Sequence, residues 1–166
     1  MTLAAADDGF DPEGRNAFDF LFGRWTVRHR QLKQRHVGGD DWRTYEGTAS
    51  CEPRLGGLAN VEEHHFIGRG GDRGLALRLF EPATGEWSIW WASDRDGVLQ
   101  PPVRGRFSGA GCVLEGDDVD EGRPIRARYV WSDTDTEEPR WEQAFSVDGG
   151  RTWETNWVML FRRAVD

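Results

Sequence analysis

The densest run of residues that could do chemistry is Glu62-Glu63-His64-His65. Imidazole titrates near neutral pH and a carboxylate can orient it, so a His–Glu pair suits acid–base work or the binding of a polar ligand group. Successive residues of a strand point to opposite faces, so Glu62 shares a face with His64, and Glu63 with His65. The sequence leaves open which pair faces inward. One carboxylate and one imidazole are too few for zinc, and we predict no metal site.

A further histidine, His29, lies in the run Arg24 to Arg30. Trp25, Val27 and His29 share one face of this predicted strand, and the arginines share the other. The arginine face is the outer one, so His29 faces inward. There it orients a ligand or acts as a base, or it is a hydrogen-bonded interior histidine beside Trp25. It would complete a zinc set with the Glu/His pair only if all three side chains faced one cavity.

Other side chains suited to ligand binding lie on later predicted strands. Tyr45 would orient a ligand, and the Trp91 ring would stack on it. Arg126 and Arg128, opposite Glu142, either form an ion pair or clamp a ligand carboxylate. The predicted ligand contacts are His29, Tyr45, Glu62, His64, Trp91, Arg128, Gln143, Asn156 and Trp157.

Nine tryptophans are an unusual number for 166 residues. Such a number indicates that the rings fill the core and also contact a flat molecule or a second surface. Trp87, Trp90 and Trp91 point to both faces of one strand, so one ring leaves the core. This pattern favours a homodimer interface or a ligand-lined mouth.

The stretch from Trp141 to Arg162 predicts two strands joined by an Asp-Gly-Gly turn at 148–150, a sequence typical of tight hairpins. A ribbon this apolar must lie on or close a larger sheet. We expect Phe145 to lie opposite Trp153, with the aromatic side chains on one side of the ribbon.

The same turn fits a short motif, Ser146-x-Asp148-x-Gly150-x-Thr152-Trp153. It resembles the Asp box found on hairpins of sialidases and related propellers. The resemblance implies a structural hairpin, in which polar side chains bond the turn backbone and the tryptophan packs beneath. A propeller repeats its blade several times, so one box predicts no glycosidase. Asp148 and Trp153 are therefore assigned structural roles.

The chain as a whole predicts one all-β domain over residues 11–166, after a disordered N-terminus at 1–10. A short helix is expected to begin at Asp11-Pro12 and end at Gly23. About ten short strands with turn signals between them favour a single antiparallel up-and-down barrel, which closes its own edges. The strands before the closing hairpin are predicted at 24–30, 42–51, 58–67, 75–80, 87–92, 103–107, 112–116 and 125–132.

Two ends of the chain carry a family resemblance. Gly23-Arg24-Trp25, together with Arg162-Arg163, resembles the calycin pattern of lipocalins, in which the tryptophan closes the barrel floor and an arginine of the last strand stacks over it. The resemblance implies structural roles for Trp25 and Arg162. Most of residues 15–163 is also similar to an uncharacterised bacterial family of lipocalin-like domains, which implies a barrel and no settled activity. The matching stretches are Phe18 to Val27, Leu55 to Glu62, Pro101 to Phe107, and Trp141 to Phe161.

Nitrobindin, a haem-binding calycin relative, is a distant comparison. Its haem ligand is a histidine near the C-terminus, whereas the last histidine of this chain is His65. We therefore predict no haem and no other cofactor.

The formal charge of −8 argues against nucleic acid and anionic membrane surfaces as partners. The N-terminus lacks the features of a signal peptide, and no stretch has the length and apolarity of a membrane span. Cys51 and Cys112 lack metal-ligand spacing. A cytoplasmic protein with reduced thiols is the expectation.

The predicted function is binding of a small, largely apolar or aromatic molecule in the lumen of the barrel. Two alternatives stay open. One is a cofactor-independent isomerase, cyclase or lyase that uses His29 or His64 with Glu62 as acid–base groups. The other is an interaction module whose Trp-rich outer face forms a homodimer. Whether the protein is an enzyme is not decided by the sequence.

Overall fold

The computed structural model describes residues 14–165, which form a closed antiparallel barrel of ten strands. Each strand pairs with the strands before and after it in the chain, and the first closes the ring against the last. The predicted all-β barrel of about ten strands is confirmed. The strands are β1 (Gly23–Leu32), β2 (Trp42–Arg54), β3 (Ala59–Phe66), β4 (Asp72–Glu81), β5 (Glu86–Ser93), β6 (Val103–Ser108), β7 (Gly111–Asp120), β8 (Arg123–Ser132), β9 (Arg140–Ser146) and β10 (Glu154–Arg163).

Helical structure in the described residues is confined to single 3₁₀ turns. None of these helices has the length and apolar character needed to cross a membrane.

The predicted N-terminal helix is wrong over the part that the structure describes. Its expected start at Asp11-Pro12 and the expected disorder of residues 1–10 lie outside the described residues. From Gly14 the chain makes successive turns, and only Asp19–Leu21 form a 3₁₀ turn.

This segment closes one end of the barrel, where β1 begins and β10 ends, which we call the floor. Phe18 is fully buried, and its ring meets Trp87 and Phe107 edge to face with centroids 4.9 and 4.8 Å apart. The Trp25 indole N–H donates to the Leu21 carbonyl over 2.7 Å. Tertiary contacts on several sides of the segment outweigh the local preference for a helix, which presents a single apolar face.

The arginine that stacks over Trp25 is Arg163, not the predicted Arg162. Trp25 lies opposite Arg163 in the β1–β10 pairing, and the guanidinium carbon is 3.9 Å from the centroid of the indole ring. Arg163 also donates to the carbonyls of Phe20 and Phe22. Arg162, one residue earlier, points to the other face and donates to the Glu138 carboxylate.

The closing hairpin forms, but in a different register from the predicted one. Phe145 lies opposite Glu154 rather than Trp153. Trp153 belongs to the turn, where its indole N–H donates to the Gly150 carbonyl over 3.0 Å. A β-bulge after Thr155 then shifts the rest of the pairing.

The Asp148 carboxylate organises this turn. It accepts the backbone N–H and the hydroxyl of Thr152 over 2.9 and 2.6 Å, and the N–H of Arg151 over 3.0 Å. The Ser146 hydroxyl oxygen accepts the Gly150 N–H over 2.9 Å. The Thr152 side-chain bond is the main reason why the pKa of Asp148 lies well below its usual range. The polar side chains of the box thus bond the turn backbone, as a structural hairpin requires.

The two C-terminal arginines give a matched pair of variants for the floor. We expect Arg163→Ala to lower the free energy of unfolding by about 1–2 kcal/mol, because it removes a cation–π contact and two bonds to carbonyls. Arg162→Ala should cost less than about 0.5 kcal/mol, since it loses one exposed ion pair. Urea unfolding of both variants measures the difference. Equal losses would contradict the assignment of the floor arginine.

Candidate functional site

The lumen of the barrel contains a cavity of about 40 Å³. A space of this size holds a few water molecules. It is lined by inward side chains of β3, β4, β5, β8, β9 and β10, most of them aromatic or apolar. The lining residues are Glu62, His64, Ala76, Arg78, Ile89, Trp91, Tyr129, Trp131, Trp141, Gln143, Trp157, Met159 and Phe161.

A buried polar cluster on β3 and β4 forms one side of this cavity. The inner face of β3 carries Asn60, Glu62 and His64, and Arg78 of β4 lies directly opposite Asn60 in the pairing. Arg78 donates through Nη2 to Glu62 and through Nη1 to Asn60, the latter over 3.0 Å. The Nε2 atom of His64 lies 2.7 Å from Oε1 of Glu62. The Glu62/His64 pair therefore faces inward, and Glu63 is exposed.

Glu62 is ionised despite complete burial. Burial by itself raises the pKa of this carboxyl, but the positive charge of Arg78 and the contact with His64 outweigh it and hold the pKa well below its usual range. The cluster therefore contains a carboxylate and a guanidinium as a buried ion pair.

Arg78 is the cluster member that the sequence reasoning missed. Leu75, Leu77 and Leu79 alternate with Ala76, Arg78 and Phe80, a pattern that favours the leucines as the inner residues. The structure places the other set inside and leaves the leucines half-buried on the outer face. The polar inner face of β3 could have predicted Arg78, because a buried Glu62 requires a cation on a neighbouring strand.

His29 lies fully buried beside the cavity and is not among its lining residues. Its Nδ1 accepts the Trp157 indole N–H over 3.1 Å, and its ring stacks on Tyr45 with centroids 4.6 Å apart. Burial, together with the nearby His64 and Arg69, lowers the pKa of His29 to about 3. A neutral ring whose Nδ1 accepts carries its proton on Nε2, so His29 is a hydrogen-bonded interior histidine rather than a base in the cavity.

Arg69, in the loop between β3 and β4, covers the lumen above His29. Its guanidinium lies over the rings of Tyr45 and Trp157, 5.7 and 5.5 Å from their centroids. It pairs with Asp72 at 2.6 Å and donates to the Gln31 side chain over 3.2 Å. The Tyr45 hydroxyl donates to the same Gln31 oxygen over 3.0 Å. Tyr45 thus belongs to this cover, outside the cavity lining.

This arrangement differs from what the composition of the Gly68–Gly71 segment by itself predicts. Three of its four residues are glycine, a composition that predicts a flexible hairpin tip. Its arginine instead has a side chain only 9% exposed. No local signal in the sequence indicates that Arg69 folds inward, since its aromatic and carboxylate partners lie on other strands.

The opposite side of the cavity, towards the end where β1 ends and β10 begins, contains Trp91 and Gln143. We call this end the mouth. The Trp91 ring covers Gly74 of β4 so closely that a Cβ at that position would overlap it. Gln143 donates to the Asn156 side chain over 2.8 Å. Asn156 lies at the β-bulge of β10, buried but outside the cavity lining.

The predicted lumen residue Arg128 lies on the outer surface of the barrel. Its guanidinium pairs with Glu115 at 2.7 Å and stacks on Trp153 at 3.8 Å from the ring centroid. Arg128 lies opposite Glu115 because β8 pairs with β7 on that side. The predicted partner, Glu142, pairs with Arg140 instead. Arg128 therefore does not point into the lumen, where the prediction placed it.

Several buried polar atoms lack a hydrogen-bond partner within residues 14–165. Four of the six belong to residues that line the cavity. Glu62 Oε1 is one of them, although it lies 2.7 Å from Nε2 of His64. The six atoms are His29 Nε2, Glu62 Oε1, His64 Nδ1, Arg78 Nε, Trp131 Nε1 and Asn156 Nδ2.

The described residues include no group of three or more His, Cys, Asp or Glu side chains arranged to hold a metal ion. No family model matches the chain, and no curated protein is significantly similar to it. The calycin resemblance therefore stays a prediction, and the site is interpreted from its own geometry.

The state of His29 predicts how stability depends on pH. Its pKa is about 3 in the folded protein against an ordinary value of 6.5. Below pH 6.5 the unfolded chain gains a proton that folded His29 does not accept, so stability falls as the pH falls towards 3. Between pH 7 and pH 5 this group should account for a loss of about 2 kcal/mol.

Urea unfolding of the wild type and of His29→Asn at both pH values measures this contribution. The asparagine side chain does not titrate, so the variant should lose about 2 kcal/mol less than the wild type over the same interval. Equal losses would contradict a buried neutral His29.

Proposed function

We propose that the protein binds a small, largely apolar or aromatic molecule in the lumen of the barrel. The observation that carries this proposal is a cavity with aromatic walls and a charged, hydrogen-bonding cluster on one side. Apolar walls with a few convergent polar groups are typical of ligand sites. Buried polar atoms without a partner are uncommon in native proteins, and a bound molecule or water is the usual explanation where they surround an interior space. A calycin-like barrel, as the sequence resemblance implies, agrees with this function.

The size of the cavity restricts how a ligand enters. About 40 Å³ is far below the several hundred Å³ of ordinary ligand sites. Three of the lining residues, Trp91, Tyr129 and Gln143, are only half-buried. These side chains must move outward to admit a ring, whereas the fully buried residues near the floor stay in place.

Two adjacent tryptophans of β5 give a matched test of this function. Trp91 lines the cavity, and Trp90 points outward. For an aromatic compound found by fragment screening, Trp91→Ala should lower affinity about tenfold because a stacking partner is lost. Trp90→Ala should change it less than about twofold. Calorimetric titration of both variants measures the two affinities. An unchanged affinity in Trp91→Ala would rule out binding in this lumen.

A second candidate is acid–base catalysis in the same cavity. The favouring observation is the 2.7 Å contact between His64 Nε2 and the Glu62 carboxylate, which leaves His64 Nδ1 without a partner among the described residues. A carboxylate that orients an imidazole is a common device for proton transfer. Deuterium exchange next to the carbonyl of a small ketone, followed by NMR, tests it. A rate equal in wild type and His64→Gln would exclude this activity.

A homodimer is the partner that the outer surface favours. Val61, Leu77 and Trp90 lie side by side across β3, β4 and β5, all half-buried on the outer face. Such a row fits the second copy that the tryptophan pattern predicts. Sedimentation velocity over a range of concentrations tests it: a dimer weakened in Trp90→Ala would support this face, and a monomer at every concentration would refute it.

The cytoplasmic location stays part of the proposal. Cys51 and Cys112 are free and buried, and burial raises the pKa of both thiols to about 12. Unreactive thiols without disulfides suit a reducing compartment.

A further inference from the structure

Two buried nitrogen donors of the cavity lining have no partner within the described part of the chain. They are Nε of Arg78 and Nε1 of Trp131, two residues that are only 3% and 2% exposed. Neither atom can act as an acceptor. A buried donor without a partner destabilises a folded protein, so these two atoms point to an acceptor that a ligand supplies.

Both donors lie in the same corner of the cavity. The guanidinium carbon of Arg78 is 5.8 Å from the centroid of the Trp131 ring. Both Nη nitrogens of Arg78 already donate, to Asn60 and Glu62, so Nε is the guanidinium nitrogen without a partner among the described residues. Phe18 closes this corner from below, 5.0 Å from the guanidinium carbon. The acceptor therefore sits at the floor end of the cavity.

The charge of this corner is already balanced. Arg78 and Glu62 form an ion pair at 4% and 1% side-chain exposure, with no net charge between them. A ligand carboxylate placed here would compete with Glu62 for one guanidinium and leave a buried negative charge unpaired, which is unfavourable in a region of low polarity. A neutral oxygen, such as a carbonyl, meets both donors without this penalty.

We infer that the ligand is a neutral aromatic carbonyl compound, with its oxygen bound by Arg78 and Trp131 and its ring among the tryptophans nearer the mouth. This inference rests on the proposed function and adds the chemical class and the two residues that select it. The ring walls are Trp91, Trp141 and Trp157. The carbonyl oxygen accepts one hydrogen bond from each floor donor.

The test uses two probes of the same shape, acetophenone and α-methylstyrene, in which a CH₂ group replaces the carbonyl oxygen. Their affinities for the wild type and for Trp131→Phe are measured by calorimetric titration. Trp131→Phe keeps an aromatic ring and removes the indole N–H. Because one neutral hydrogen bond is lost, acetophenone should bind Trp131→Phe about three- to tenfold more weakly, while α-methylstyrene binds it unchanged.

Trp141→Phe serves as the matched control, because it changes another ring of the cavity and leaves both floor donors intact. It should alter the affinities of the two probes by the same factor. Benzoate, with the same ring and a negative charge, tests the claim of neutrality. It should bind at least about tenfold more weakly than acetophenone.

The outcomes separate this inference from the function on which it rests. If neither probe binds the wild type, binding of aromatic molecules in the lumen fails, and the inference fails with it. If both probes bind and Trp131→Phe weakens them equally, the function stands and the carbonyl assignment is overturned, because water then satisfies the floor donors. Benzoate binding more tightly than acetophenone would overturn the neutral class.

Discussion

The ion pair between Glu62 and Arg78 is the constraint on which the interior of this barrel depends. Two charges in a closed lumen are tolerated only when each has its partner and further hydrogen bonds. The β3–β4 pairing provides this arrangement, because it places Arg78 opposite Asn60 and within reach of Glu62. An ionised carboxylate in turn holds His64 against it. The polar side of the cavity is therefore a consequence of strand register.

The aromatic residues fit around this pair. Phe18 and Trp131 cover the guanidinium from the floor, and the tryptophans of β5, β9 and β10 form walls towards the mouth. Arg69 seals the adjoining part of the lumen above the buried His29. The result is a nearly filled barrel whose remaining space adjoins unpartnered donors. For the ligand that we propose, selectivity would come from those donors more than from the volume of the cavity.

Much of the architecture could be predicted from sequence, because period-two alternation and turn signals act locally. They indicated the ten strands, the inward set of β1 and the Asp148 turn. These local patterns failed where the position of a side chain depends on a partner that is distant in the sequence. On β4 the alternating leucines favoured the wrong inner face, so Arg78 was not predicted to be buried. The glycines around Arg69 predicted a flexible loop. The β-bulge after Thr155 shifted the pairing from the register expected of a regular hairpin. The N-terminal helix failed for the same reason, since contacts of Phe18 with the barrel replace it.

The candidate site was predictable only in part. Glu62, His64, Trp91, Gln143 and Trp157 all line the cavity. Arg128 lies outside the barrel, because its strand faces Glu115 on the outer surface. His29, Tyr45 and Asn156 are buried next to the lining. Alternation places a side chain on the inner face, but packing against neighbouring strands decides whether it reaches the cavity.

A high-resolution crystal structure of the protein purified from its own host would show directly whether a ligand acceptor occupies the lumen. We expect density for a bound molecule in the lumen, with an acceptor atom within hydrogen-bond distance of both Arg78 Nε and Trp131 Nε1. Density for isolated water molecules on these two donors, with the tryptophan rings packed against one another, would contradict it.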